Sequence, residues 1–434
     1  MPGIPPAAQP HMARPPGTSR AGWVSLQVGV LFLSSSALVS GIALLLAISL
    51  WRPQQQPAPL SRPEARLLAA LSLLMLLGTA LSAKAGPLAW LGLANWLPFF
   101  WFFLAIRPYL ATAAARQRVA FWLCAATVPV VVVAWLQHVM GWKGQLDALG
   151  GLIRWPMNDP ITGTSLFDNP NVTGAWLALV MPFAVQRGLQ PHQRLGTRLL
   201  GWGLALSSVA TLVLSASRNA MATLLLTWPA SGSRRLRWGV LALAGIYGAL
   251  VLASLHGNLP EPLTLVVPAG LSNKLQQLEE GARPLQAQRH QIYAAALQWL
   301  AQQPWWGVGE QGFGTLYRAK IQADLGSTAT VAITHAHSTP LEFALSHGIP
   351  ALALLAWVVI APLLRATNGW RRGTLDPINR AWWLAALVLI WVNIWDVPFF
   401  DSRLNIAGWL VLAGLSETAP HNGSQASKPT GQRQ

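Results

Sequence analysis

The sequence predicts an all-α, polytopic membrane protein, and three observations lead to that fold class. Apolar residues make up 53% of the 434 residues and charged residues only 10%, whereas soluble proteins average about 25% charged residues. Apolar runs approaching the roughly 20 residues that a helix needs to cross a bilayer recur along the chain. Basic residues gather in every second loop, which is the pattern that orients membrane helices. An ordinary soluble domain is therefore excluded.

The first predicted helices form a hairpin that follows an amino-terminal tail. The tail, residues 1–21, is rich in Pro and Gly and is expected to be disordered and cytoplasmic. The segment from Gly22 to Trp51 is long for a single span, and Ser34, Ser35 and Ser36 interrupt it. We therefore expect two short helices that turn at these serines.

Ten further apolar runs complete a bundle of about twelve transmembrane helices. Nine of the twelve fall within residues 22–256 and three within residues 339–416, before a disordered cytoplasmic tail at 417–434. The ten runs are Arg66–Ala83, Leu88–Ile106, Val119–Val139, Asn171–Val185, Leu199–Ser215, Ala220–Ala230, Leu236–Leu255, Thr339–Leu364, Ala381–Trp395 and Leu404–Leu415.

The distribution of Lys and Arg predicts which loops face the cytoplasm. Five Arg-rich loops and both tails fall on one side if there are twelve helices with both termini inside; eleven helices with an external amino terminus is the alternative. The cytoplasmic side then holds 20 basic and 3 acidic residues, and the external side 10 basic and 11 acidic residues. The net charge of +16 thus follows from topology, and we expect no nucleic-acid partner.

A long external loop, residues 257–338, separates the last three helices from the others and is expected to be partly helical. Its segment Pro284–Gln303 has a helix-forming composition and ends at Pro304, before the glycine-rich GVGEQGFG. An apolar stripe at helical spacing suggests a helix on the bilayer surface, with two interfacial tryptophans, while Arg289 at its start remains available for function. The stripe is Ile292, Ala295, Ala296 and Trp299, and the tryptophans are Trp305 and Trp306. The glycines are interpreted as turn residues, because no strand-loop-helix unit surrounds them.

Two histidines, His335 and His337, end this loop in the sequence THAHSTPLEF. A pair separated by one residue is a weak metal signal without further ligands, and the single cysteine, Cys124, excludes a thiolate cluster, so we expect no metal. An imidazole at the membrane surface can accept a proton near neutral pH. The pattern therefore favours a general base.

Arg218, in LSASRNA between two apolar runs, is the most unusual charge in the predicted bundle. A cation at that depth is costly unless it faces a polar cavity or an anionic partner. The guanidinium also matches phosphate oxygens in shape and charge. Either Arg218 binds an anion at the external face, or it reaches the lipid headgroups as an interfacial residue. A helix start at Asn169, Pro170 and Asn171 is a second place where an anion could meet exposed backbone amides.

Four segments occur in an order that resembles the O-antigen ligase and polymerase superfamily of bacterial inner-membrane proteins. They cover roughly Thr162 to Trp357 and are FDNPNVTGAWLALVMPFAV, LSASRNAMATLLL, QRHQIYAAALQWLAQQPWWGVGEQGFG and HAHSTPLEFALSHGIPALALLAW. The resemblance implies glycan transfer on the periplasmic face of the inner membrane. The implied donor is an undecaprenyl-pyrophosphate-linked glycan, the acceptor is a hydroxyl of a lipid or glycan, and membrane lipids surround the protein. No cofactor, metal or nucleotide is implied.

Residue by residue, the resemblance implies that His337 is the general base that deprotonates the acceptor hydroxyl. Arg218 and Arg289 would hold the donor pyrophosphate, with Lys84 and Arg154 as further phosphate contacts. Family members often carry a basic residue just before the Gly-Thr that precedes the NPN element. Here Ile161 and Thr162 occupy that place.

Several activities share this pattern. Ligation of O-antigen to a lipid A core, polymerisation of repeat units and transfer of glycan to protein all remain open, with the compact loop favouring a ligase. A bicarbonate-transport-associated protein and a catalytically silent assembly factor are alternatives of other classes. A transporter would concentrate its charges near the bilayer midplane, whereas the candidate groups are expected at the outer face.

Overall fold

The computed structural model describes residues 14–51, 63–148, 153–157, 163–167, 169–191, 193–228, 234–256, 289–326 and 333–418. Most of both predicted tails and much of the long loop, residues 257–288 and 327–332, lie outside the described residues. The described part is mostly helical, as the composition predicts.

The amino-terminal hairpin has the predicted form. Helix α1 (Arg20–Leu31) and helix α2 (Ala37–Ser49) flank a turn at residues 32–36. Ser36 caps α2 by accepting a hydrogen bond from the backbone N–H of Val39 at 3.2 Å. Ser34 donates to the carbonyl of Ala126 at 2.5 Å, which ties the turn to a later helix. Ser36 therefore starts the second helix, and Ser34 fixes the turn between the two helices.

The remaining helices follow in chain order. Among the described residues, seven segments are long and apolar enough to cross a membrane: Pro63–Ser82, Pro87–Leu110, Ala113–Met140, Pro170–Leu189, Leu195–Leu214, Ile349–Arg371 and Pro377–Trp395. The chain is thus a multi-pass helical membrane protein, while the total of twelve spans stays a prediction. The helices are α3 (Pro63–Ser82), α4 (Pro87–Gly92), α5 (Leu97–Ile106), α6 (Ala113–Met140), α7 (Pro170–Leu189), α8 (Leu195–Leu214), α9 (Arg218–Thr227), α10 (Arg234–Leu255), α11 (Arg289–Gln302), α12 (Gly312–Leu325), α13 (Thr339–His347), α14 (Ile349–Arg371), α15 (Pro377–Trp395) and α16 (Ser402–Ser416).

Two runs predicted as continuous helices are broken. The run Leu88–Ile106 becomes α4, a short 3₁₀ turn and α5, and Pro98 in the first turn of α5 cannot supply a backbone N–H to the helix before it. The run Thr339–Leu364 is interrupted at Gly348, whose φ is +85°, and Pro350 follows at the start of α14. The overall hydropathy of each run gave no reason to break it, although Pro98 and the Gly348–Pro350 segment are local signals for a break.

A small β-hairpin, which the sequence analysis did not predict, follows α6. Strand β1 (Gly144–Ala148) pairs antiparallel with strand β2 (Ile153–Met157), with Asp147 opposite Arg154. The indole N–H of Trp155 donates to the carbonyl of Ser35 at 2.6 Å. This contact docks β2 on the turn of the amino-terminal hairpin.

Helix α7 is the centre of the bundle and is buried along most of its length. It packs against α6, α8, α9 and α15. Trp176 donates its indole N–H to the hydroxyl of Thr127 on α6 at 3.0 Å, and Phe183 packs edge-on against Trp382 of α15. Because neighbours surround α7 on most sides, its first residues, at the NPN element, are held firmly at one end of the bundle.

The other end of the bundle contains a cluster of charges from segments that the topology prediction assigns to the cytoplasm. Arg107 pairs with Glu417 at 2.6 Å and with Glu64 at 3.7 Å. Arg365 also reaches Glu64 at 3.4 Å. Arg116 donates to Asn379 at 2.9 Å. Residues predicted to share one side of the membrane are therefore in contact.

The segment around α11 and α12 forms a second, smaller core. Ile292, Ala295 and Ala296 are buried, as the predicted stripe requires, but they pack with Phe313 and Tyr317 of α12. The interpretation of this stripe as a surface that contacts the bilayer is therefore wrong, because a helix that the sequence analysis did not predict covers it. Trp305 and Trp306 do remain partly exposed, at 69% and 36%.

We predict that Gly348→Ala destabilises the protein much more than Gly373→Ala does. Both glycines have positive φ, +85° and +69°, which costs an L-residue about 1–2 kcal/mol. A Cβ at Gly348 would also meet the backbone of Trp305, 2.5 Å from its carbonyl carbon, whereas a Cβ at Gly373 meets nothing within 4 Å. Thermal unfolding of the detergent-solubilised variants measures the difference. Equal decreases in unfolding temperature would show that the backbone of Trp305 moves to accommodate the added Cβ.

Candidate active site at one end of the bundle

His337 lies in the turn immediately before α13 and has an unusual backbone conformation. Its φ is +51°, which is rare for a residue other than glycine and is strained unless the surroundings hold it. The hydroxyl of Tyr293 on α11 donates to the His337 carbonyl at 3.2 Å, and the His337 N–H donates to Nδ1 of His335 at 3.3 Å. The imidazole itself is 30% exposed, so a substrate can reach it.

Asp396, directly after α15, is the carboxylate next to His337. Its Oδ1 lies 3.5 Å from Nδ1 of His337, and its Oδ2 accepts from the side-chain amide of Asn171 at 3.1 Å. The backbone N–H of Val397 also donates to Oδ1 at 3.0 Å. A carboxylate at Nδ1 favours the tautomer that carries the proton on Nδ1 and leaves Nε2 as the proton acceptor, which is what a general base needs.

The charge pattern of the sequence places Asp396 among the external acids but indicates no role for it. His337 and Asp396 are 59 residues apart in the chain, and local patterns cannot report such a contact. One signal was available, because an acid directly at the end of an apolar run, in WDVPFF, is costly unless it has a partner.

The surroundings fix the protonation states of the two neighbours of His337. The pKa of His335 is lowered to about 4, mainly by burial. The charges of His337 and Arg289 also lower this pKa, and the charge of Asp396 opposes them. His335 is therefore neutral at pH 7, which agrees with its Nδ1 accepting a hydrogen bond. Burial alone would raise the pKa of Asp396, but hydrogen bonds from His337 and the Val397 N–H, with the charge of Arg289, bring it below its ordinary value. Asp396 therefore stays ionised.

Arg289 begins α11 and lies close to this cluster. Its side chain hydrogen-bonds with that of Tyr293, and its charge acts on the pKa of Tyr293, His335 and Asp396. Burial is the main cause that raises the pKa of Tyr293, and the charge of Arg289 opposes it. The structure thus brings together two of the predicted site residues, Arg289 and His337.

Arg218 begins α9, which packs against α7 and α15. The residue two positions before it, Ala216, has φ +49°, so the chain turns sharply into the helix. The next residue, Asn219, donates its side-chain amide to the carbonyl of Val392 at 3.1 Å. Val392 lies one helical turn before Asp396, so the start of α9 is attached to the same end of α15 as the His337 cluster.

The two weaker candidates, Lys84 and Arg154, are less closely tied to this cluster. The backbone N–H of Lys84 donates to the carbonyl of Val308 at 2.8 Å, which joins the α3–α4 connection to the glycine-rich segment. Arg154 lies on β2 and its side chain is outside the described part, as are Ile161 and Thr162. A phosphate contact from either basic residue stays a prediction.

Two cavities meet beside the cluster. A polar cavity of about 570 Å³ is lined by Asn169, Asn171, Gln311, His335, Asp396 and Arg403, among others. An apolar cavity of about 380 Å³ runs between α14, α15 and α16 and is lined mainly by aliphatic side chains such as Leu352, Val359, Leu389 and Leu412. Val392 and Pro398 line both cavities, so the two cavities are neighbours.

His335, His337 and Asp396 also form a candidate metal site, since their ligand atoms lie within 4.8 Å of one another. No metal was expected from the sequence, because Asp396 is distant in the chain from the two histidines. In the described structure, one ring nitrogen of each histidine already serves a protein contact: Nδ1 of His337 faces Asp396, and Nδ1 of His335 accepts from a backbone N–H. The arrangement suits a histidine that is positioned by its neighbours to accept a proton.

The O-antigen ligase family model matches residues 203–356, about a third of the chain. The matched part runs from α8 into α14 and includes Arg218, Arg289 and His337, whereas Asp396 lies beyond it. No curated protein matches the chain. The match confirms the resemblance drawn from the motifs and supports, in general terms, a membrane glycosyltransferase of the ligase or polymerase type.

We predict that His335 makes the protein sensitive to acid. Its pKa in the folded protein is about 4, below the ordinary value of 6.5, so the unfolded chain binds the extra proton between these values. The free energy of unfolding is therefore unaffected by the titration of His335 above pH 6.5. It falls by up to about 1.4 kcal/mol per pH unit as the pH drops toward 4.

The measurement is thermal unfolding at pH 7.5 and pH 5 for the wild type, His335→Gln and the exposed His290→Gln. The His335 variant should lose less stability between the two pH values than the other two proteins. Equal acid sensitivity of all three would contradict the assignment of a neutral, buried His335.

Proposed function

We propose that the protein is an O-antigen ligase-like glycosyltransferase of the bacterial inner membrane, with its active site on the periplasmic face. It would move a glycan from an undecaprenyl-pyrophosphate donor to a hydroxyl of a lipid A core or another acceptor, without a metal. The observation that carries the proposal is the cluster of His337, Asp396 and Arg289. Two of these residues lie in the part of the chain that matches the O-antigen ligase family.

In the proposed reaction His337 acts as the general base. Its Nε2 takes the proton of the acceptor hydroxyl as the oxygen attacks the anomeric carbon of the donor sugar. The bond between that carbon and the pyrophosphate oxygen breaks, and the pyrophosphate leaves with the electron pair. Attack from the side opposite the leaving group inverts the anomeric centre. The carboxylate of Asp396 stabilises the imidazolium until the proton passes to solvent or to the departing phosphate.

Arg289 and Arg218 are proposed to stabilise the pyrophosphate as it leaves. Negative charge grows on the phosphate oxygens during bond breaking, and fixed cations near that position lower the barrier. Arginine suits this role because its planar group donates two parallel hydrogen bonds to phosphate oxygens. The charge of Arg289 lowers the pKa of Asp396, as His337 also does. Arg218 begins α9, which is hydrogen-bonded through Asn219 to the end of α15 that carries Asp396.

The two adjoining cavities support a substrate that is part lipid and part sugar. The apolar cavity between α14, α15 and α16 would accept a hydrocarbon chain, and the polar cavity beside His335 and Asp396 would accept a hydrophilic group. A glycolipid acceptor such as a lipid A core has both parts.

Polymerisation of lipid-linked repeat units, or transfer of a glycan to protein, would use the same cluster and remain the alternatives within the family. A role in bicarbonate transport is a different kind of function. It is less consistent with the positions of His337, Asp396 and Arg289, which lie at helix ends and in turns rather than within the spanning segments.

We expect His337→Ala to abolish glycan transfer while the protein remains in the membrane, because alanine cannot accept the proton of the acceptor hydroxyl. His290→Ala is the matched control, since this histidine is exposed on α11 next to Arg289. The measurement is surface-glycan banding in a host lacking the chromosomal gene, with membrane levels of each variant. Unchanged lipopolysaccharide or polysaccharide banding with His337→Ala would remove the enzyme hypothesis.

We expect Arg289→Ala and Arg218→Ala each to lower kcat/KM for the pyrophosphate donor by about 10- to 100-fold, the effect of losing one hydrogen bond to a charged group. Lysine at either position should recover part of the loss by restoring the charge without the planar fork. Arg318→Ala, an exposed arginine on α12, is the control. The assay is transfer by purified protein at varied donor concentration. A donor kcat/KM equal to that of the control would contradict the pyrophosphate role.

A further inference from the structure

We propose that the polar cavity beside His337 is a subsite for a sugar of the acceptor, and that Gln311 recognises the hydroxyl groups of that sugar. The inference rests on the proposed transferase function and goes further by naming the acceptor class. The acceptor would be the sugar end of a glycolipid or polysaccharide rather than a serine or threonine of a protein.

The charge of the cavity wall favours a neutral ligand. Among the described residues that line it, Arg403 is the one arginine or lysine. Its guanidinium is already engaged: it pairs with Asp401 at 2.5 Å, donates to the Leu166 carbonyl at 2.8 Å and lies 4.1 Å over the ring of Phe167. Asp396 adds a negative charge. A phosphate would meet carboxylates here, so this cavity suits the uncharged partner and leaves the pyrophosphate to the arginines outside it.

The remaining lining groups match the surface of a sugar. The amides of Gln311, Asn169 and Asn171 offer both donors and acceptors, as a ring of hydroxyl groups requires. Phe400 presents an aromatic ring to the same space and lies 5.8 Å from the ring of His335. An aromatic face packs against the C–H face of a sugar ring. The volume of about 570 Å³ falls within the range of about 300–1,000 Å³ that is usual for ligand sites.

Among the three amide side chains that line the cavity, that of Gln311 contributes least to the described fold. It stands immediately before α12 with φ +61°, a conformation that glycine or asparagine adopts more easily, and its side chain makes no capping hydrogen bond to the helix. By contrast, the Asn169 side chain caps α7, and the Asn171 side chain donates to Asp396. An exposed amide held in a strained conformation at the cavity wall is therefore available for a ligand.

The position of the cavity gives a bound sugar access to the base. His335 and Asp396 line the cavity and also contact His337. The cavity therefore adjoins the turn that carries His337, whose imidazole is 30% exposed. A sugar that fills the cavity can extend one hydroxyl to this imidazole while its other hydroxyls meet Gln311.

The test compares Gln311→Gly and Gln311→Asn with the wild type. Glycine removes the amide but relieves the backbone, so stability should be retained or increased while KM for the acceptor rises about tenfold, with KM for the donor unchanged. Asparagine keeps an amide in a tolerated conformation and should give an intermediate KM. Gln322→Ala, an exposed glutamine of α12 that does not line the cavity, should leave both values unchanged.

The assay uses full-length purified protein, a polyprenyl-pyrophosphate-linked glycan as donor, and three acceptors: lipopolysaccharide lacking O-antigen, a second copy of the lipid-linked repeat, and a serine-rich peptide. Transfer to either sugar acceptor with the expected Gln311 pattern supports the subsite. Transfer to the peptide alone, or a Gln311→Gly variant with the wild-type acceptor KM, overturns the subsite and leaves the transferase in place. Absence of transfer to all three acceptors by the wild type overturns the transferase and the subsite together.

Discussion

The carboxylate of Asp396 is the interaction on which the candidate site depends. It receives hydrogen bonds from Asn171 at the start of α7 and from the Val397 N–H, and it faces His337. The backbone carbonyl of the same residue accepts from the N–H and the hydroxyl of Thr339, at the start of α13. A partly buried charge is unfavourable unless such partners surround it. Three helices therefore meet where they do because each supplies part of the environment that keeps this carboxylate ionised.

The low polarity of the surrounding bilayer favours charges at the ends of the bundle, and the described structure has a cluster of charged residues at each end. At one end, Arg107 joins Glu64 and Glu417, which come from opposite ends of the chain. At the other end, the chain leaves helical geometry at Gly348 and at His337. Irregular backbone at the end of a membrane helix is stable where protein or a polar cavity satisfies its hydrogen-bonding groups. One end thus closes the bundle with ion pairs, and the other holds the strained turns and the polar cavity.

Patterns within short stretches of sequence were enough to predict the main helices, the serine-broken hairpin and the apolar stripe of α11. The His-Ala-His motif also indicated His337 as a candidate base, whereas Arg289 was indicated by the resemblance to the O-antigen ligase superfamily. Helix α12 was missed because its sequence begins with GFG, where glycine disfavours helix, and because its buried face is formed by only a few residues such as Phe313 and Tyr317. Asp396 and the break at Gly348 were missed for a different reason. Both depend on contacts with distant segments, at His337 and at the backbone of Trp305.

The glycine-rich GVGEQGFG segment also gains a physical explanation from these distant contacts. Glu310 within it is buried, and its Oε1 accepts from the indole of Trp96 and lies 2.9 Å from Nε2 of His347. His347 ends α13, while Thr339 at the other end of α13 is bonded to Asp396. This nine-residue helix is therefore fixed at both ends, and the strained turn that carries His337 directly precedes it. A base held in this way requires little rearrangement when the substrate arrives, which is the condition under which fixed charges and dipoles lower a barrier most effectively.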